Sequence, residues 1–195
     1  MPLPPPQPRT RFHTRTLVLR GFRREDGLWD IEGELTDAKD YDVRLYDQPP
    51  LPAGAPVHAL AVRLTVDDDM VVREVATSMD ATPFGDCLQA TAPMDRIVGA
   101  GLGPGWRAAV DRAMGGVAGC THLREILFSM GTAAYQTIPS GLARLRGEAG
   151  MPQAESGEPP RHIGGCITWD VDGLVVARHY PQFAGWAPLR RRPRP

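Results

Sequence analysis

The sequence predicts an α+β fold, an antiparallel sheet built from hairpins with a helical layer packed on one face. Three observations predict it. Two-residue alternation of apolar and polar side chains recurs around polar turns in the first half of the chain. One long stretch from Cys120 to about Thr137 carries a helical apolar stripe. The order is strands, then helices, then a last hairpin signal, rather than the regular strand–helix alternation of a parallel sheet.

Taken in order, Thr14 to Gly21 reads as a strand, and Asp26-Gly27 as the turn of a hairpin. Leu28 to Asp37 returns with Trp29, Ile31 and Leu35 on one side, a half-buried strand. Asp30, Glu32, Glu34 and Asp37 are read as its solvated outer face. The proline-rich Asp47 to Pro56 breaks the chain before a second hairpin. In that hairpin, Val57 to Val66 and Met70 to Thr77 flank the turn Asp67-Asp68-Asp69. Asp86 caps a short helix through Cys87 and Leu88, and Gly105 to Met114 suits another. The strongest helix places Leu123, Ile126, Leu127, Met130, Ala133 and Ala134 on one face, with Pro139 as its stop. Cys166 to Val171 and Leu174 to Tyr180 flank Asp172-Gly173, a third hairpin signal.

The resulting organisation is a disordered proline-rich tail over 1–10 and a single α+β domain over 11–146, with an N-terminal hairpin in 11–46 and a core in 57–138. A linker over 147–161, a C-terminal hairpin over 162–183 packed on the domain, and a basic tail over 184–195 follow. The 195 residues are 42% hydrophobic and 23% charged, ordinary for a folded protein. A formal net charge of -1 offers no global field for nucleic acid or an anionic membrane. No apolar run reaches the roughly 18 residues of a membrane span, and the first ten residues do not read as a secretory leader. A cytoplasmic location is expected. Three cysteines in a reducing compartment are expected as thiols or metal ligands rather than disulfides.

The chemistry concentrates on thiols and imidazoles. His58 shares an apolar strand face with Leu60, Val62, Leu64 and Val66; a histidine so placed is most often a core residue bonded to a carbonyl. Cys120 opens the best helix, where free N–H groups and partial positive charge favour a thiolate, and His122 follows in the same turn. Cys87 stands at another helix start. Together His58, Cys87, Cys120 and His122 make a candidate tetrahedral site for zinc or iron, although their spacing is not that of a zinc finger. The glycine-rich 99–105 segment contains Pro104 and lacks a lysine, which argues against a phosphate cradle. Arg23 and Arg24 in the charged turn beside Trp29 are candidates for clamping a carboxylate, set against a solvated hairpin tip with local ion pairs.

Two resemblances follow from these residues. His13, the string RREDGLWDIEG from Arg23 to Gly33, Asp37, Lys39, His58, Cys87 and GCTHL from Gly119 to Leu123 resemble a bacterial family of unknown function numbered 2889, over His13 to Gln136. That resemblance implies no activity. Residues 58 to 136 also look like the iron–sulfur cluster assembly scaffolds of the IscU and NifU N-terminal type. His58 falls where the scaffold has its functional aspartate, Cys87 near its second ligand cysteine, and Cys120 at its last. This second resemblance implies a scaffold-like core and a metal pocket. The scaffold's first cysteine is Pro56 here, and its histidine before the last cysteine is Gly119.

The expectation is therefore a metal-binding protein holding zinc, iron or an iron–sulfur cluster through His58, Cys87, Cys120 and His122, with a small molecule or a metal-transfer protein as partner. The alternatives are a small enzyme using Cys120 as nucleophile, with His122 or His58 as base, on an acyl or carboxylated compound, and an interaction module without chemistry. The oligomeric state is not legible.

Overall fold

The computed structural model describes residues 3–46, 48–148 and 157–187. The chain divides into two compact units, Met1–Leu142 and Ala143–Pro195.

The first unit is built on a four-stranded antiparallel meander of β1 (His13–Arg23), β2 (Trp29–Lys39), β3 (Pro56–Val66) and β4 (Val72–Ala81), paired in that order. A 3-10 segment over Gly85–Ile97 and the helices α1 (Trp106–Met114) and α2 (Thr121–Leu145) follow. The α+β reading with an antiparallel sheet holds.

Directly opposed residues of an antiparallel pair share a sheet face. Leu17, Leu35, Leu60 and Met79 therefore lie in one row, and Gly33, Val62 and Thr77 in the next. Ile31, Leu35, Leu60, Val62, Leu64 and Val66 on this face are buried, together with Trp29. Leu123, Ile126, Leu127, Met130 and Ala134 of α2 join them in one core, each fully excluded from solvent. At about 1.5–3 kcal/mol per fully buried large apolar side chain, this stripe, rather than helix propensity, holds α2 in place.

The direction of α2 is set by close approaches. A Cβ at Gly33 would stand 2.5 Å from Ile126 and 3.4 Å from Met130, and one at Gly141 would strike the Trp29 ring. The helix thus begins over the Asp37 end of β2 and runs toward the Trp29 end. Its first turn sits above the row where β1 begins, β2 ends and β3 begins.

Two expectations are corrected. Pro139 does not end the helix, which continues to Leu145. The Thr137 and Ser140 hydroxyls donate to the carbonyls of Ala133 and Gln136, so local side chains supply hydrogen bonds around the proline. Buried Ile138 and the Gly141–Trp29 contact anchor the turns on either side. The expected C-terminal hairpin is not a hairpin: residues 166–171 form turns and α3 spans Leu174–His179. Asp172-Gly173 closes a turn against Asp170, after which Ala177 N–H bonds the Gly173 carbonyl and starts a helix. A short apolar run such as Leu174-Val175-Val176 carries no period that separates strand from helix.

The described part of the second unit has its own small core of Ile163, Val171, Val176, Tyr180 and Phe183, with Trp169 and Trp186 against it. Residues 1–2 of the proline-rich tail, Asp47, 149–156 of the expected linker and 188–195 of the basic tail lie outside the described residues. No helix among the described residues is long and apolar enough to cross a membrane.

Candidate metal centre

The site begins with one residue that the sequence reading placed on the wrong face. Asp37 has the odd parity of Trp29, Ile31 and Leu35, so its side chain belongs to the covered face of β2. It is 4% exposed, and Asp37 and Thr65 are the buried polar residues among those described. Asp30, Glu32 and Glu34 do take the opposite face. A register shift between Asp37 and Ala38 disturbs the pairing with β3 at this point, a distortion common beside functional sites.

Strand register brings the partners. Arg15 of β1 and His58 of β3 both lie directly opposite Asp37. Arg15 grips both carboxylate oxygens, Nε to Oδ1 at 2.8 Å and Nη2 to Oδ2 at 2.9 Å. His13 Nε2 donates to Oδ1 at 2.8 Å. The remaining guanidinium nitrogen of Arg15 bonds Glu125 of α2, tying the helix to the sheet. From the first turn of α2 comes His122, whose ring lies 3.9 Å, centroid to centroid, from that of His58.

One oxygen of Asp37 faces both of these imidazoles. Oδ2 stands 3.2 Å from Nδ1 of His58 and 3.7 Å from Nε2 of His122. The His58 contact has the distance but not the angle of a hydrogen bond, leaving Nδ1 a buried nitrogen without a hydrogen-bond partner. Asp37, His58 and His122 offer three ligand atoms within 4.8 Å of one another.

Protonation states suit such a group. Burial works against the charge of Asp37, but the hydrogen bonds from Arg15 and His13 outweigh it and bring its pKa from 3.8 to about 2. Burial pushes the pKa of His58 below the ordinary 6.5, and the charge of His122 adds to this, with Asp37 opposing. Burial and the charge of Arg15 push His122 the same way, against Asp37 and Glu125. At neutral pH the set is one carboxylate and two neutral imidazoles, the forms that ligate metals.

The four sequence-derived candidates separate. His58 and His122 meet at Asp37. Cys120, the residue before α2, places Sγ 3.6 Å from Nδ1 of His122, on the ring edge away from Asp37. Cys87 lies half-buried in the 3-10 segment, and neither cysteine belongs to the group of three. The three cysteines form no disulfide. The arginine candidates are at the other end of the sheet and already engaged. Arg23 bonds Asp68 at 2.6 Å and covers the Trp29 ring, while Arg24 bonds Asp26, Thr65 and Glu74. Asp37 is the member of this group that sequence reasoning missed, and counting its parity along β2 would have found it.

Fold and site together define an α+β protein with an Asp–His–His group, its carboxylate buried and its imidazoles half-buried, under the start of its longest helix. The chain belongs to the family described as Protein of unknown function (DUF2889), which matches residues 13–136, more than half of its length. That span contains His13, Arg15, Asp37, His58, Cys120, His122 and Glu125. No curated protein and no solved structure matches the chain.

Proposed function

We infer that the protein binds a single divalent metal ion, zinc or iron, through Asp37 Oδ2, His58 Nδ1 and His122 Nε2. The observation that carries this is the geometry at Oδ2. A tetrahedral ion with bonds of about 2.1 Å sets its ligand atoms about 3.4 Å apart. The distances of 3.2 and 3.7 Å from Oδ2 bracket that separation, and the buried His58 Nδ1 has no hydrogen bond to give up. Two imidazoles and a carboxylate form the ligand set of sites that keep a coordination position open for water or substrate. Arg15 and His13 hold the carboxylate from behind, as outer partners of metal ligands do. The donor set favours one ion over an iron–sulfur cluster, which takes several thiolates: among the described residues no cysteine joins the group of three, and Cys120 instead touches His122. The scaffold comparison therefore contributes the idea of a metal pocket rather than of cluster assembly.

A second reading rests on its own observation. Cys120 Sγ, His122 and Asp37 form a chain of 3.6 and 3.7 Å, thiol to Nδ1 and Nε2 to carboxylate, the order of a nucleophile, base and orienting acid. In that reading Cys120 attacks an acyl or carboxylated small molecule and no metal takes part.

Cobalt titration of the chelator-treated protein separates the two. The metal reading predicts saturation at one cobalt per chain with visible absorption bands that vanish in His58→Ala. Absence of binding in the wild-type protein, with rapid alkylation of Cys120 alone, would move the assignment to the thiol reading.

A further inference from the structure

Metal binding by Nε2 of His122 requires a lone pair there, and a neutral imidazole carries its one proton on either nitrogen. The hydrogen bond made by the other nitrogen decides which. For His122 that neighbour is Cys120, with Sγ 3.6 Å from Nδ1, within reach of a hydrogen bond to sulfur.

The thiol is held in this place. The Cys120 carbonyl accepts the Arg124 N–H at 3.1 Å, which fixes its backbone at the start of α2, and its side chain packs against the main core. On the far edge of the ring, Nε2 and Oδ2 of Asp37 are 3.7 Å apart, beyond a direct N–H···O bond. The contact available to the ring is therefore the one to sulfur. With S–H donating instead, the ring N–H on Nε2 would face an oxygen beyond its reach, so the pairing that satisfies the ring N–H has Nδ1–H donating and Sγ accepting.

We propose that Cys120 is a positioning residue: it accepts a hydrogen bond from Nδ1–H of His122 and so holds Nε2 bare, aimed at Asp37 and His58. The tautomer rests on the Cys120–His122 contact together with the 3.7 Å gap from Nε2 to Asp37; its consequence for metal affinity rests on the metal reading above. The same contact explains why a thiol stands beside the ligand group without belonging to it. It also separates the two functional readings, since the opposite tautomer, with S–H donating to Nδ1 and Nε2–H facing Asp37, is the one a thiol relay needs.

The test uses the full chain, labelled with nitrogen-15 in histidine and stripped with a chelator. Long-range proton–nitrogen spectra near neutral pH report the tautomer, with the His122 signals assigned by their loss in His122→Asn. Wild type and Cys120→Ser, whose hydroxyl can still accept, are expected to show Nδ1–H, and Cys120→Ala a shift toward Nε2–H. Zinc affinity, measured against a competing chelator, is expected to fall about 10- to 100-fold in Cys120→Ala and only a few-fold in Cys120→Ser. Nε2–H in wild type, or the same tautomer in wild type and Cys120→Ala, overturns the proposal whatever the zinc result. A wild-type chain that takes up no zinc while its tautomer still follows Cys120 upholds the positioning role and overturns the metal reading.

Discussion

Replacing Asp37 by asparagine keeps the shape of the side chain and removes the charge that Arg15 and His13 hold. In the folded protein this carboxyl titrates near 2 rather than 3.8. A depressed carboxyl pKa stabilises the fold at pH values above the unfolded-state pKa, and the stabilisation is lost as pH falls through the folded one. At 1.36 kcal/mol per unit, a shift of nearly two units is worth about 2.5 kcal/mol at pH 7, and about half of that remains at pH 3. The side chain is only 5% exposed, so solvent screening takes little from this figure. Urea unfolding of metal-free wild type and Asp37→Asn at several pH values between 7 and 3 measures it. The gap between the two proteins is expected to be widest near neutrality and to narrow below about pH 4. A gap that stays constant across that range would refute the reasoning, because it would mean that the ion pair with Arg15 contributes nothing to folding.

Other predictions follow from the same geometry. Gly33→Val places a branched side chain where α2 already touches β2, with Ile126 2.5 Å from the first added carbon. It is expected to cost about 1–3 kcal/mol by thermal or urea unfolding, and to weaken metal binding by lifting His122 away. Arg15→Lys loses the two-pronged grip on Asp37, and zinc affinity by competition is expected to drop about tenfold or more. Cys87→Ser is expected to leave zinc affinity unchanged, since Cys87 stands outside the group of Asp37, His58 and His122.

The sheet and the long helix were legible because their signals are periodic. Alternation in Val57–Val66 put His58 on the buried face, and the stripe from Leu123 to Ala134 fixed the face of α2 that covers it. Asp37 was misread because its charge was grouped with Asp30, Glu32 and Glu34, although its position along the strand puts it with Ile31 and Leu35. Residue type outweighed parity, and the buried carboxylate is stabilised because Arg15, 22 residues earlier in the chain, lies directly opposite it. That pairing depends on the register of the hairpin, which no single residue announces. Cys87 was joined to the others by its place at a helix start, a local feature that says nothing about where the start lies in three dimensions. Pro139 failed as a stop signal because packing on both sides of it outweighs the missing N–H.

The central claim is that Asp37, His58 and His122 hold one metal ion. Its most direct test is the metal content of untagged protein purified anaerobically, counted per chain by mass spectrometry, in wild type, Asp37→Ala, His58→Ala, His122→Ala and Cys87→Ser. The account predicts close to one zinc or iron per chain in wild type and Cys87→Ser, and loss of that metal in each of the other three. Full metal content in the folded Asp37→Ala and His58→Ala proteins, or none in wild type even after reconstitution with zinc and iron, would contradict it.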